Sequence, residues 1–159
     1  MRVETSQFNV PNEQRQTARQ EDSSRPTILI VEDEAGPREA LKLILRPFYN
    51  LHSVDSAEAA LYLLKERAID LVTLDLKLPG KQGTELLQDI KRDHEHVEVI
   101  VITGYGSLKS AMDGLRYGAS GYLLKPFNVT ELIAIINQTL EKKRRLRSEE
   151  RRVGKECRL

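Results

Sequence analysis

The sequence has little cysteine and no long apolar stretch. Cys157 is the only cysteine among 159 residues, so neither an internal disulfide nor a cysteine-based metal site can form. No apolar run approaches the roughly 20 residues that a membrane-spanning helix needs, and the first residues lack the pattern of a signal peptide. We therefore expect a cytoplasmic protein in a reducing compartment, without membrane association.

A net positive charge is found only at the C-terminal end. The net charge is +1, but residues 141–159 hold nine Lys/Arg against four Asp/Glu, which leaves −4 for residues 1–140. The basic stretch EKKRRLR is more typical of a solvated helix end than of a binding surface. We expect no direct nucleic-acid binding by this segment.

The composition divides the chain into three parts. Residues 1–26 are polar and almost without apolar spacing, so we expect a disordered extension. Residues 27–146 have the length and patterning of one domain. Residues 147–159 resemble translated read-through of a sequencing adapter, so we expect the natural protein to continue after Leu146. The alternative is a charged continuation of the last helix.

Five short apolar runs within residues 27–146 predict strands. Most lack the polar alternation of a half-exposed strand, which is typical of a parallel sheet covered on both faces. The runs are TILIVE, NLHSV, IDLVTLD, VEVIVIT and SGYLL.

Stretches of helical period separate these runs. Ser56 can cap the second predicted helix, and Asn128 or Thr130 can cap the fifth. Strict alternation of strands and helices predicts an α/β fold with a doubly wound, five-stranded parallel sheet and five helices. Such sheets bind ligands beyond the carboxyl ends of their strands.

Functional side chains follow four of the predicted strands: Glu32, Asp33, Asp75, Thr103 and Lys125. Three carboxylates at one place repel each other unless a cation is present, so the group predicts a divalent ion held through oxygen, naturally Mg²⁺. A carboxylate beside Mg²⁺, lysine and a hydroxyl can accept a phosphoryl group. Each residue alone could instead be an ordinary turn or surface charge.

Other candidate sites are weaker. His52, His94 and His96 lie in an edge strand and a polar loop without metal-ligand spacing, so we interpret them as surface residues. The stretch from Thr103 to Gly106 lacks the spacing and lysine of a nucleotide-binding loop. We expect neither a phosphotransfer histidine nor ATP binding.

Four stretches resemble the motifs of response-regulator receiver domains: ILIVEDE, LVTLDLKLPG, VIVITGYGS and GYLLKPF. The resemblance covers Thr27 to about Arg145. It implies a flavodoxin-like fold with strand order 2-1-3-4-5. It also implies a signalling domain, not an enzyme acting on an external substrate, that takes a phosphoryl group from a histidine kinase and changes shape.

The same resemblance implies roles for individual residues. Asp75 would be the phosphoacceptor and would ligate Mg²⁺ together with Asp33 and the backbone carbonyl of Lys77. Glu32 would act on the ion through water.

Lys125 would pair with the phosphoryl oxygens, and Thr103 would bond one of them and act with Tyr122 as the conformational switch. The Lys125-Pro126 bond resembles a cis peptide of the family. Lys77 and Tyr105 would govern access of water to the acyl phosphate.

The implied partners are a sensor histidine kinase or phosphotransfer protein and an output domain, separate or lost by truncation. The resemblance also allows a homodimer through the fourth helix and fifth strand. Two rival interpretations remain. A haloacid-dehalogenase-type phosphatase needs an Asp where this chain has Lys77, and a pseudo-receiver would not need Asp33, Asp75, Thr103 and Lys125 together.

Overall fold

The computed structural model of the protein describes residues 21–104 and 108–156. In this part of the chain, five strands alternate with five helices, as the sequence predicts. The elements are β1 (Thr27–Val31), α1 (Ala35–Leu45), β2 (Asn50–Val54), α2 (Ala57–Glu66), β3 (Leu71–Leu74), α3 (Gly83–Asp93), β4 (Glu98–Thr103), α4 (Leu108–Arg116), β5 (Gly121–Leu124) and α5 (Val129–Glu156).

All strand pairs are parallel, and the strand order is β2-β1-β3-β4-β5. This order confirms the flavodoxin-like arrangement. Val31 is in register with Leu74, and Leu74 with Val101, so the carboxyl ends of the central strands lie close together at one edge. That edge is where the predicted functional side chains follow their strands.

The central strands are buried on both faces because each contributes to two separate cores. Along β1, Leu29 and Val31 pack with α2 and α3, whereas Ile28 and Ile30 pack with α1 and α5. Successive side chains of a strand point to opposite faces. The continuous apolar runs of β1 and β4 follow from this double burial.

Local signals in the sequence explain two helix starts. The Ser56 hydroxyl accepts a hydrogen bond from the Ala59 N–H at the start of α2 (3.2 Å). The Asn128 side chain accepts one from the Thr130 N–H at the start of α5 (2.7 Å). These bonds satisfy donors that have no partner within the helix. The Lys125-Pro126 bond is cis, as the resemblance implies.

Described structure continues past both predicted ends of the domain, residues 27 and 146. Within the predicted extension, residues 21–26 are described, and the Asn50 side chain donates to the carbonyls of Asp22 (2.8 Å) and Arg25 (3.1 Å). This segment is therefore tied to β2. At the other end, α5 continues to Glu156, the conformation that the alternative interpretation expects. The bounds of the extension and the origin of the tail stay predictions.

Candidate functional site

The side chains predicted from the strand ends meet at the carboxyl edge of the sheet. The main chain extends the strand pairing there, because the Asp75 N–H donates to the Val31 carbonyl (3.1 Å) and the Lys125 N–H to the Thr103 carbonyl (3.0 Å). Glu32 and Asp33 follow β1 directly. Four neighbouring strands thus deliver one side chain or more each to a single place.

Both carboxylate oxygens of Asp75 are engaged. Asp75 Oδ1 accepts hydrogen bonds from the Lys77 backbone N–H (2.9 Å) and from Thr103 Oγ1 (3.0 Å). Asp75 Oδ2 accepts one from Lys125 Nζ (3.1 Å). Asp75 is only 7% exposed, whereas Lys77 is exposed. The carboxylate is therefore oriented by three donors while it lies at the surface end of the sheet.

Lys125 links two of the acids. Its Nζ lies 2.8 Å from Glu32 Oε1 and 3.1 Å from Asp75 Oδ2. Burial by itself would lower the pKa of Lys125, but the hydrogen bonds to Glu32 and Asp75 raise it overall. The lysine is therefore held as a cation between both carboxyl groups.

The remaining acid, Asp33, completes a compact group. One carboxylate oxygen from each of Glu32, Asp33 and Asp75 lies within 4.8 Å of the others. Glu32 is 1% exposed, whereas Asp33 is exposed to solvent. In the described residues this is the one group of three or more such side chains close enough to share an ion.

Crowding of these acids separates their proton affinities. Burial and the hydrogen bond with Asp75 raise the pKa of Glu32 from 4.5 to about 7, against the opposing effect of Lys125. Burial would also raise the pKa of Asp75, but hydrogen bonds from Glu32, Lys77 and Lys125 lower it overall. Without a cation, a single proton on this pair therefore resides mainly on Glu32, and the negative charge lies on Asp75.

The donor set fits a hard divalent cation such as Mg²⁺. All three side chains offer carboxylate oxygens, and the exposed Asp33 leaves room for the water molecules that Mg²⁺ retains in proteins. A bound cation would also favour the ionised form of Glu32, against the burial that raises its pKa. The group therefore has the composition of a magnesium site.

Tyr122 does not belong to this group of strand-end residues. It lies on β5, half-buried, and packs against the core that includes α2 and α3. Its ring also faces α4, because a Cβ placed on Gly114 would lie 3.7 Å from Tyr122 Cδ2. Burial raises the pKa of Tyr122. Tyr105 lies outside the described residues.

One residue near the site was missed at the sequence level. Arg38, in the first turns of α1, donates from Nη1 to the backbone carbonyls of Glu32 (3.0 Å) and Asp33 (3.3 Å). An arginine a few residues after an acidic pair is a visible pattern. Nothing in that pattern, however, tells which acceptor the side chain reaches.

Comparison with known protein families identifies the domain. The sequence model of the response regulator receiver domain matches residues 28–137, a segment that contains every strand-end residue described above. The chain belongs to the response regulator receiver family. It is therefore a receiver domain of two-component response regulators, as the four motifs indicate.

Known relatives of this receiver domain are longer proteins. The chain is 39% identical over 110 residues to the response regulator protein FleR of Pseudomonas aeruginosa, covering 69% of this chain and 23% of FleR. It is 36% identical over 129 residues to histidine kinase P4 of Formosa agariphila, covering 80% of this chain and 9% of the kinase. The chain thus spans less than a quarter of either relative.

A solved structure supports the same fold. The signal receiver domain of a putative LuxO repressor protein from Vibrio parahaemolyticus is similar with a TM-score of 0.75 and 28% sequence identity, over 79% of this chain and 98% of that domain. Within the described residues of our receiver domain, the helices are too short or too polar to cross a bilayer.

Proposed function

We propose that Asp75 accepts a phosphoryl group from a phosphohistidine of a sensor kinase or phosphotransfer protein. One observation carries this proposal. The Asp75 carboxylate is oriented by Thr103 and Lys125 and lies within 4.8 Å of the carboxylates of Glu32 and Asp33. This arrangement presents a nucleophilic oxygen beside groups that can neutralise an incoming phosphoryl group.

In the proposed transfer, a carboxylate oxygen of Asp75 attacks the phosphorus. The bond from phosphorus to the donor's imidazole nitrogen breaks, its electron pair stays on that nitrogen, and an acyl phosphate forms on Asp75. Lys125, now bonded to Asp75 Oδ2 at 3.1 Å, can pair with a transferred oxygen. The Thr103 hydroxyl, now bonded to Oδ1 at 3.0 Å, can donate to another.

Asp33, Asp75 and the backbone carbonyl of Lys77 would hold Mg²⁺ directly in this proposal, and Glu32 would act through water. The bound ion would offset the charge of the acids and of the transferred oxygens. The chain's own contribution is to hold the acids together and to exclude bulk water from Glu32 and Asp75, which are almost fully buried.

The proposed activity ends with transfer onto the protein itself and slow loss of that phosphate. A phosphatase acting on an external substrate would need an acid two residues after the nucleophile. Lys77 stands there and offers its backbone N–H to Asp75 (2.9 Å), while its side chain is exposed. A pseudo-receiver is disfavoured because the side chains of Thr103 and Lys125 both donate hydrogen bonds to the Asp75 carboxylate.

The test is phosphorylation with Mg²⁺ and acetyl phosphate, followed by intact mass. We expect one added phosphoryl group on the wild type and none without Mg²⁺ or on Asp75→Ala. Asp55→Ala is the matched control, because Asp55 directly follows β2 as Asp75 follows β3, yet it is exposed. Labelling of Asp75→Ala at the wild-type level would refute the assignment.

The response to phosphorylation would be a shift of a two-state equilibrium. The phosphoryl group would draw Thr103 toward it, and Tyr122 would turn inward between β5 and α4. Thr103→Ala should then accept phosphate without the wild-type shift in the amide spectra of residues 104–124. A full shift in Thr103→Ala would contradict this coupling.

The partners follow from the same function. Relatives include a response regulator and a histidine kinase, which supports a kinase or phosphotransfer donor and an output domain outside this segment.

An exposed apolar surface on α4 and β5 supports a homodimer through this face. Met112 and Leu115 on α4 are 60% and 61% exposed, and Leu124 on β5 is 49% exposed. Sedimentation of the phosphorylated protein, with Leu115→Asp as the disrupted variant, tests the dimer.

A cytoplasmic location without direct nucleic-acid contact is part of the same proposal. The net charge of −4 over residues 1–140 disfavours contact with nucleic acid.

A further inference from the structure

We infer that Arg38 is a positioning residue for the acidic site: its guanidinium fixes the main chain that carries Glu32 and Asp33, and thereby sets the affinity for Mg²⁺. This inference rests on the proposed function, since it concerns the same site. It adds a residue that touches neither the reacting carboxylate nor, through its described bonds, any of the three acidic side chains.

The main chain of the loop between β1 and α1, residues 32–34, receives no capping bond from the Glu34 side chain. Glu34 precedes the helix, and α1 has no acidic residue in its first turn. One end of the loop is held because the Glu32 N–H donates to the Val54 carbonyl of β2 (3.1 Å). The carbonyls of Glu32 and Asp33 need another partner.

Arg38 supplies that partner for both carbonyls at once. Its Nη1 lies 3.0 Å from the backbone carbonyl oxygen of Glu32 and 3.3 Å from that of Asp33. Its own backbone N–H donates to the Glu34 carbonyl (3.1 Å), so the arginine is anchored in the helix while its side chain reaches back over the loop. Because charge-assisted hydrogen bonds are stronger than neutral ones, this contact resists rotation of the two peptide groups.

The orientation of these peptide groups determines where two of the three carboxylates point. Glu32 and Asp33 are adjacent, yet both bring an oxygen within 4.8 Å of Asp75. In the ionised form that binds Mg²⁺, the mutual repulsion of Glu32 and Asp33 favours a loop that separates them. A fixed main chain opposes this separation, so Arg38 keeps the oxygens close enough for one ion to bind all of them.

The sign of the effect distinguishes positioning from simple electrostatics. A cation near three carboxylates repels Mg²⁺, so removing a guanidinium that acts only through its charge would tighten Mg²⁺ binding. Removing a guanidinium that positions the ligands would weaken it. Substitution of residues that orient metal ligands typically costs about 10-fold to 100-fold in affinity, and we expect about 10-fold here.

The experiment compares the Mg²⁺ dissociation constants of wild type, Arg38→Gln, Arg38→Lys and Arg46→Gln by amide NMR titration of the ion-free proteins. Arg46 caps the far end of the same helix and is exposed, so Arg46→Gln removes the same charge away from the site. We expect Arg38→Gln to bind about 10-fold more weakly, Arg46→Gln to bind like wild type or slightly better, and Arg38→Lys to keep most of the affinity.

Urea unfolding in EDTA provides the second readout. We expect Arg38→Gln and Arg46→Gln to have similar midpoints, so that the difference in Mg²⁺ affinity cannot come from unfolding. If Arg38→Gln binds Mg²⁺ as well as or better than Arg46→Gln, the inference is overturned. A folded Arg38→Lys protein as weak as Arg38→Gln also overturns it, because lysine retains a charged donor for the carbonyls.

These outcomes are separate from failure of the proposed function. If the wild type neither binds Mg²⁺ nor becomes labelled by acetyl phosphate, the proposed function fails, and the inference about Arg38 fails with it. If the wild type does both, only the comparison of the arginine variants decides the inference.

Discussion

Substitution of Gly83 by alanine should destabilise the domain, because the first residue of α3 lies against the loop that follows Asp75. A Cβ built on Gly83 would lie 2.4 Å from Leu76 Cα, 2.7 Å from its oxygen and 2.8 Å from its carbonyl carbon. The Gly83 N–H also donates to the Leu76 carbonyl (3.1 Å). The obstacle is main chain, which cannot rotate out of the way as a side chain could.

The expected loss follows from these distances. Ordinary contacts of a Cβ lie at 3.4–4 Å, so the two segments must separate by about 1 Å. Overpacking costs about 1–3 kcal/mol, and a weakened hydrogen bond adds about 1 kcal/mol. The helix preference of alanine over glycine returns at most about 1 kcal/mol. We expect a net loss of about 2–3 kcal/mol, or about 10 °C in Tm.

Urea unfolding in EDTA measures this loss without a contribution from metal binding. Gly36→Ala is the matched control, since Gly36 lies in the first turn of α1 and a Cβ there meets nothing within 4 Å. That variant should be as stable as wild type or up to about 1 kcal/mol more stable. Equal stabilities of Gly83→Ala and Gly36→Ala would refute the reasoning from close approach.

Three further predictions concern the core, the acids and the phosphate. The Thr73 hydroxyl is buried and has no hydrogen-bond partner among residues 21–104 and 108–156, so Thr73→Val should raise the free energy of unfolding by about 1 kcal/mol. A loss of stability in urea unfolding would contradict this, and Thr73→Ser serves as control. Because the pKa of Glu32 rises from 4.5 to about 7 in the ion-free fold, the folded state holds more protons in this range, so stability in EDTA should fall as the pH rises from about 5 to 7. Mg²⁺ affinity should rise over the same range, and calorimetry showing no pH dependence would exclude this coupling. Lys77→Asn combined with Tyr105→Ala should lose phosphate faster than wild type, because we expect both native side chains to crowd the path of the attacking water and neither to orient it. Equal half-lives of the two phosphoproteins would show that crowding is not responsible.

Much of the fold could be predicted from the sequence because its signals are local. The unbroken apolar runs of β1 and β4 indicated strands buried on both faces. Ser56 indicated the start of α2, where its hydroxyl accepts a hydrogen bond from the N–H of Ala59, three residues further along the chain. The strand bounds shifted by two residues at most, as in β3, which begins at Leu71 instead of residue 69, whereas α5 continues to Glu156, beyond the predicted end of the domain at residue 146. Ile69 is buried but lies before the paired segment.

The candidate site was also visible in the sequence, since the residues that follow parallel strands meet at one edge. Asp75 and Lys125 are 50 residues apart in the sequence, yet Lys125 Nζ lies 3.1 Å from Asp75 Oδ2. Strand order and register are sufficient to explain this proximity. The acidic group and the hydroxyl of Thr103 follow from the same rule. A resemblance to receiver domains then suggested the role of each residue.

Only the tertiary structure decided how these groups share their bonds and protons. Lys125 lies closer to Glu32 than to Asp75, and burial raises the pKa of Glu32. Arg38 reaches the carbonyls of Glu32 and Asp33. These features depend on loop paths that no short pattern specifies. The close approach of Gly83 to Leu76 and the burial of the Thr73 hydroxyl likewise arise where separate segments pack together. A sequence determines by itself what is set within a few residues along the chain, whereas distances of a few ångströms between remote segments are set by the packing of the whole domain.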